Sequence, residues 1–141
     1  MKYTRQLLAL GLLMAPLLAS AQLGSKVAIL TQVPFEFVVG DKVLPAGKCV
    51  VLAANAATET ILIRNKDTKT SLFSSTLPSE TRETAATDEL VFHKYGDRYF
   101  LSTIRLEGTR LVYQIPESKE EAGLRMRNLP ASAETIHAFL K

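Results

Sequence analysis

Leu90-Val91-Phe92-His93-Lys94-Tyr95-Gly96-Asp97-Arg98-Tyr99-Phe100-Leu101-Ser102-Thr103 decides how the chain is read. Two runs rich in aromatic and branched residues flank Gly96-Asp97. A two-residue loop with glycine first is the signal of a type II′ hairpin, because glycine takes the positive φ that this turn needs. The turn sets a register: Tyr95 opposite Arg98, Lys94 opposite Tyr99, His93 opposite Phe100, Phe92 opposite Leu101 and Leu90 opposite Thr103. Side chains alternate between faces. One face carries Leu90, Phe92, Lys94, Tyr99 and Leu101, and the other Val91, His93, Tyr95, Arg98 and Phe100. Both faces are apolar away from the turn and charged near it. The hairpin is expected to be buried on both sides at its base and to reach water at its tip, as a sandwich or barrel with extra cover allows.

Upstream, residues 1–21 have the build of a cleaved secretory signal peptide. Lys2 and Arg5 form a basic n-region, Leu7 to Leu18 an apolar run, and Ala19-Ser20-Ala21 a small-residue cleavage site. The apolar run is shorter than the roughly 20 residues that a spanning helix needs. The mature chain is expected to begin at Gln22 and to form one domain over 22–141. The whole chain has 17 basic and 14 acidic residues. Without Lys2 and Arg5 the balance is 15 to 14, so net charge says little about partners. No basic cluster with interleaved aromatics is present, which disfavours nucleic acid. No later apolar run is long enough to span a membrane.

Cys49 is the only cysteine, so an internal disulfide is excluded and packing must hold the domain. Its place in Cys49-Val50-Val51-Leu52 reads as a small buried hydrophobe in a strand. Further strands follow from apolar alternation and turn residues. Lys26 to Thr31 leads in. Val33, Phe35, Phe37 and Val39 form one strand, with Pro34 at its start or on an edge. Leu44-Pro45-Ala46-Gly47 is a turn. Strands then run over Lys48–Ala53, Thr60–Arg64 and, after the loop Asn65–Thr68, Thr70–Leu77. Pro78–Asp88 is polar, without periodicity, and reads as a mobile connection. After the hairpin, whose second arm extends toward Leu106, the last strand is Leu111–Ile115.

The tail from about 118 changes character. Ser118-Lys119-Glu120-Glu121 fits a capping box with Glu121 reaching back to its own helix start, and Glu121 pairs by spacing with Arg125. A short helix is predicted from about Lys119 to Arg127. Ile136, Phe139 and Leu140 suggest a second helix from Ala133. The total is seven or eight strands at even spacing with tight turns, which predicts a mainly β antiparallel sandwich or small barrel with a short C-terminal helical tail.

Three segments together carry a family resemblance: Val33-Pro34-Phe35-Glu36-Phe37, Leu44-Pro45-Ala46-Gly47, and His93-Lys94-Tyr95-Gly96-Asp97-Arg98-Tyr99-Phe100-Leu101. With the signal peptide, they resemble small exported β-rich proteins of acidobacteria that have no assigned activity. The resemblance implies export and a β-rich fold, and nothing about chemistry. Cys49 departs from the tyrosine expected in that group.

Chemistry-bearing residues crowd the hairpin tip: His93, Lys94, Tyr95, Asp97, Arg98 and Tyr99. Lys94 and Arg98 suit an anionic group, and Tyr95 and Tyr99 a sugar or ring. The competing reading is cross-strand pairing, Lys94 over Tyr99 and Tyr95 along Arg98, each worth about 0.2–1 kcal/mol. Two histidines 44 positions apart and one cysteine fit no zinc spacing. There is no G-x-S-x-G, no glycine-rich phosphate loop, and Glu36 and Glu107 lack a paired carboxylate. The expectation is an exported, non-enzymatic binding or structural module of the bacterial cell envelope, periplasmic or secreted, without catalytic, metal or cofactor-binding residues. A small barrel carrying an apolar ligand is the first alternative, and a small hydrolase using a serine or His93 the second. A protein partner, or self-association through an edge strand or Cys49, stays open.

Overall fold

The computed structural model describes residues 27–55 and 59–138; residues 1–21, expected to be a signal peptide, lie outside them. The protein is mainly β. Two sheets pack as a sandwich around one apolar core. The first sheet has four antiparallel strands in the order β1 (Val27–Val33), β4 (Gly47–Asn55), β5 (Thr60–Asn65) and β6 (Ser71–Ser75). The second has the order β11 (Ser132–Ala138), β8 (Asp88–Tyr95), β9 (Arg98–Arg105), β10 (Leu111–Gln114) and β7 (Leu77–Glu80). A short ribbon of β2 (Phe37–Val39) and β3 (Lys42–Leu44) joins it through a parallel contact of Val38 with Phe100. The core interleaves Ile29, Val51 and Ile63 of the first sheet with Leu90, Phe92 and Ile104 of the second.

The central hairpin turns at Gly96, with φ of 58°, as glycine in a type II′ turn requires. The register near the turn is the expected one, from Tyr95↔Arg98 to Phe92↔Leu101. It then slips. A bulge between Val91 and Phe92 places Leu90 opposite Ile104 rather than Thr103. The extra residue on β9 lets Leu90, Phe92, Leu101 and Ile104 all enter the core, which strict alternation forbids.

Other differences have local causes. The expected strand over 33–39 is two strands in different sheets, divided at Pro34–Glu36. Pro34 offers no N–H, and the chain there crosses from one layer to the other. The strand over Thr70–Leu77 is likewise divided. At buried Thr76 the chain leaves β6 for β7, and both the N–H and the hydroxyl of Thr76 donate to the Glu59 carbonyl, at 2.9 and 2.8 Å. The polar connection Pro78–Asp88 therefore begins as a strand. β7 pairs with β10 along all four of its residues, with Pro78 tolerated because the strand lies on an edge.

Among the described residues the tail contains one helix, α1 (Lys119–Met126), and it ends one residue before the expected Arg127. Asn128, with φ of 56°, closes it: Leu129 N donates to Leu124 O and Asn128 N to Arg125 O, the Schellman pattern. The second expected helix is instead β11, which lies along the outer edge of β8 over seven paired residues. An open edge with a full set of backbone partners outweighs the weak helical spacing of Ile136. Phe139 and Leu140 lie outside the described residues. The helix therefore lies between two strands, β10 and β11.

Candidate functional site

The six residues of the hairpin tip are divided between two faces. On one face, Lys94 sits over the Tyr99 ring at 5.3 Å, and Tyr99 stacks flat on Phe35, with centroids 3.7 Å apart. The Lys94 ammonium is held above its usual range, by its hydrogen bond to Tyr99 first. On the other face, Tyr95 packs edge-on against Phe100, and Val38 and Leu124 join them beneath α1. The sequence pattern put this tip in water on both faces; here the helix buries Tyr95, while His93 and Arg98 remain partly exposed. Asp97 is exposed in the turn, and the small cleft between Phe35–Val38 and Asp97–Tyr99 has a volume of about 90 Å³.

α1 reaches the hairpin through its acidic first turn. Ser118 caps it, accepting from Glu121 N at 3.0 Å. The Glu121 carboxylate does not complete a capping box. It is buried and accepts from His93 Nδ1 at 2.6 Å, while the His93 side chain stays 44% exposed. Tyr95 lies beside it, and burial, then Glu121 and Glu117, push its hydroxyl up. Arg125 pairs with Glu117, at 2.8 and 3.2 Å, and not with Glu121. That pairing holds the Glu117 carboxyl below its usual range. Arg98 reaches Glu120 at 2.7 Å and stands 4.0 Å from Glu36.

With Nδ1 turned to Glu121, the Nε2 of His93 faces away from the carboxylate, an orientation that general-base chemistry uses. Such a base needs a nucleophile within hydrogen-bond reach. Among the described residues, Glu121 is the side chain bonded to His93, and His93 does not line the cleft beside Asp97–Tyr99. Among the described residues no group of three or more His, Cys, Asp or Glu side chains is placed to hold a metal ion, and no helix is long and apolar enough to cross a membrane. Cys49 is fully buried, and burial pushes its thiol up to about 11, so it presents neither a thiolate nor a surface contact.

A different site emerges from the packing of the two sheets. Between the ends of β4 and β5 and the facing β9 and β10 lies a cavity of about 280 Å³. Its walls are Val51, Ile61, Ile104, Leu106 and Tyr113, and it opens past exposed Glu59, Pro78 and Leu111. Among the described residues the wall is apolar almost throughout; Glu59 is the one ionisable carboxylate in it, and no cation lines it. An apolar cavity of half this size stays dry and takes up benzene in a well-studied case, and drug-sized sites begin near about 300 Å³. The volume suits one ring or a short chain. Sequence reasoning pointed to the hairpin tip and missed this cavity. Each wall residue reads as ordinary strand core, and the gap exists only where two sheets from distant parts of the chain diverge.

No family model matches the chain, and neither a curated protein nor a solved structure does so.

Proposed function

We propose that the chain is an exported, non-enzymatic binding module of the bacterial cell envelope that holds a small apolar group between its two sheets. The observation that carries this reading is the open apolar cavity bounded by Val51, Ile61, Ile104, Leu106 and Tyr113. Fully burying a leucine-sized group is worth about 1.5–3 kcal/mol, and a cavity already formed does not have to be opened first. Export is supported by the basic, apolar and small-residue order of residues 1–21. The sequence resemblance to small exported acidobacterial proteins agrees with it. The non-enzymatic part rests on the separation of the oriented histidine from the apolar cavity and from the cleft at the hairpin tip.

The test is titration of the purified protein with a neutral apolar naphthylamine dye whose fluorescence rises out of water. Leu111 is partly exposed at the mouth, so Leu111→Lys leaves the core intact. The reading expects saturable binding that this substitution weakens about tenfold, about 1.4 kcal/mol. No binding, or binding indifferent to Leu111→Lys, contradicts it. Turnover of a defined substrate, lost on changing a cavity residue, would overturn the non-enzymatic part.

A further inference from the structure

We infer that the β6 edge is a self-association surface, and that two copies of this chain pair antiparallel through it, with Phe73 opposite Phe73. β6 ends the four-stranded sheet, and its one strand neighbour among the described residues is β5. An open strand edge presents backbone N–H and C=O groups to any other strand, and proteins that stay monomeric blunt it with charge, proline, bulges or extreme shortness. Ser71-Leu72-Phe73-Ser74-Ser75 has no charge and no proline, and its pairing with β5 runs five residues without a bulge. The other edges are treated differently. β7 carries Pro78 and Glu80, β3 is three residues long and carries Lys42, and β1 and β11 lie against each other.

The side chains favour a second copy as the occupant. Leu72 points into the core, so Phe73 points out, and it is 66% exposed. Phe73 is in register with Leu62, and Leu62 with Leu52, which makes an apolar row across the outer face of the sheet. A two-fold axis at Phe73 runs this row into the same row of the copy and sets the two aromatic rings side by side. Leu72 then faces Ser74 of the copy, and Ser71 faces Ser75, without any charged pair. Because β6 is the one unblunted edge among the described residues, the association closes at a dimer instead of growing into a fibre. A contact of one strand is small, which places it among weak interfaces.

Sedimentation velocity of the purified protein over rising concentration is the first test. A monomer–dimer equilibrium in the micromolar range is expected. Phe73→Lys should weaken it at least about tenfold while leaving the far-ultraviolet spectrum and the melting of dilute protein unchanged. Register is read separately. Chains carrying Ser71→Cys mixed with chains carrying Ser75→Cys should form a disulfide dimer on mild oxidation, because facing residues lie within disulfide reach. Each variant alone should not, since neither position faces itself, and Cys49 is buried. A monomer at all concentrations, a dimer indifferent to Phe73→Lys, or cross-linking in the separate variants overturns the inference.

Discussion

The two ends of the four-stranded sheet are finished in opposite ways. At the Gly47–Asn65 end a buried amide ties two turns together. Asn65 Nδ2 donates to Pro45 O and Ala46 O, at 2.9 and 3.2 Å, and its Oδ1 accepts from Asp67 N and Thr68 N, at 2.9 and 3.1 Å. Asp67 in turn accepts from Lys48 N at 2.8 Å. Gly47, with φ of 147°, passes so close that a Cβ there would stand 2.7 Å from the Asp67 carboxylate. The Ala53–Thr60 end carries a hydroxyl tie. Thr76 ties the corner to Glu59, and the space between the sheets stays open as the apolar cavity. A satisfied polar network fixes spacing and direction. Once one end is fixed, the twist of the sheets lets the other diverge without collapsing. The difference teaches where this small fold spends its rigidity and where it keeps room.

The comparison breaks most severely at Asn65. Asn65→Leu strands two carbonyls and two N–H groups, and urea unfolding should show a loss of about 3 kcal/mol. Gly47→Ala adds a methyl group against Asp67 and Asn65 at a φ that disfavours side chains, and should cost about 2 kcal/mol in the same assay. Enlarging the core should sharpen the contrast. Cys49→Leu, opposite Asn65 at the closed end, is expected to lose about 2 kcal/mol by overpacking. Ile104→Phe, beside the cavity, should stay within about 1 kcal/mol of the parent because there is space to take the ring.

The smallest expected effect is a pH slope at the closed end. The Cys49 thiol is raised from 9.0 to about 11, so the folded state holds its proton where the unfolded chain has begun to lose it. Its contribution is complete below pH 9 and is lost as pH rises toward about 11. At pH 10 the loss is about 1 kcal/mol. Urea unfolding of the parent against Cys49→Ala, at neutral pH and at pH 10, separates the thiol's effect from that of the raised Tyr95 hydroxyl, which both proteins share. Equal slopes in the two proteins would remove it.

How much of this was written locally in the chain depends on the residue. The Gly96 turn and the pairing of Lys94 with Tyr99 follow from neighbours and were legible. The bulge at Val91 was not, because it answers to the core that Leu90 and Ile104 share. β7 gave no signal. All four of its residues are exposed, and only β10 makes it a strand. β11 was misread for the same reason, its conformation being set by the edge of β8. Asn65 looked like a loop residue and is a fully buried one. At the hairpin tip, His93 and Tyr95 looked like binding groups because Glu121, 28 positions later than His93, gave no sign of meeting them.

The central claim is that the open end of the sandwich holds an apolar group, and native mass spectrometry of the protein purified from its native cells tests it most directly. The account predicts a small apolar molecule that co-purifies at up to one per chain, is released by organic solvent and is lost in Leu111→Lys. A clean mass in the parent protein, together with failure of added apolar compounds to bind, would contradict it.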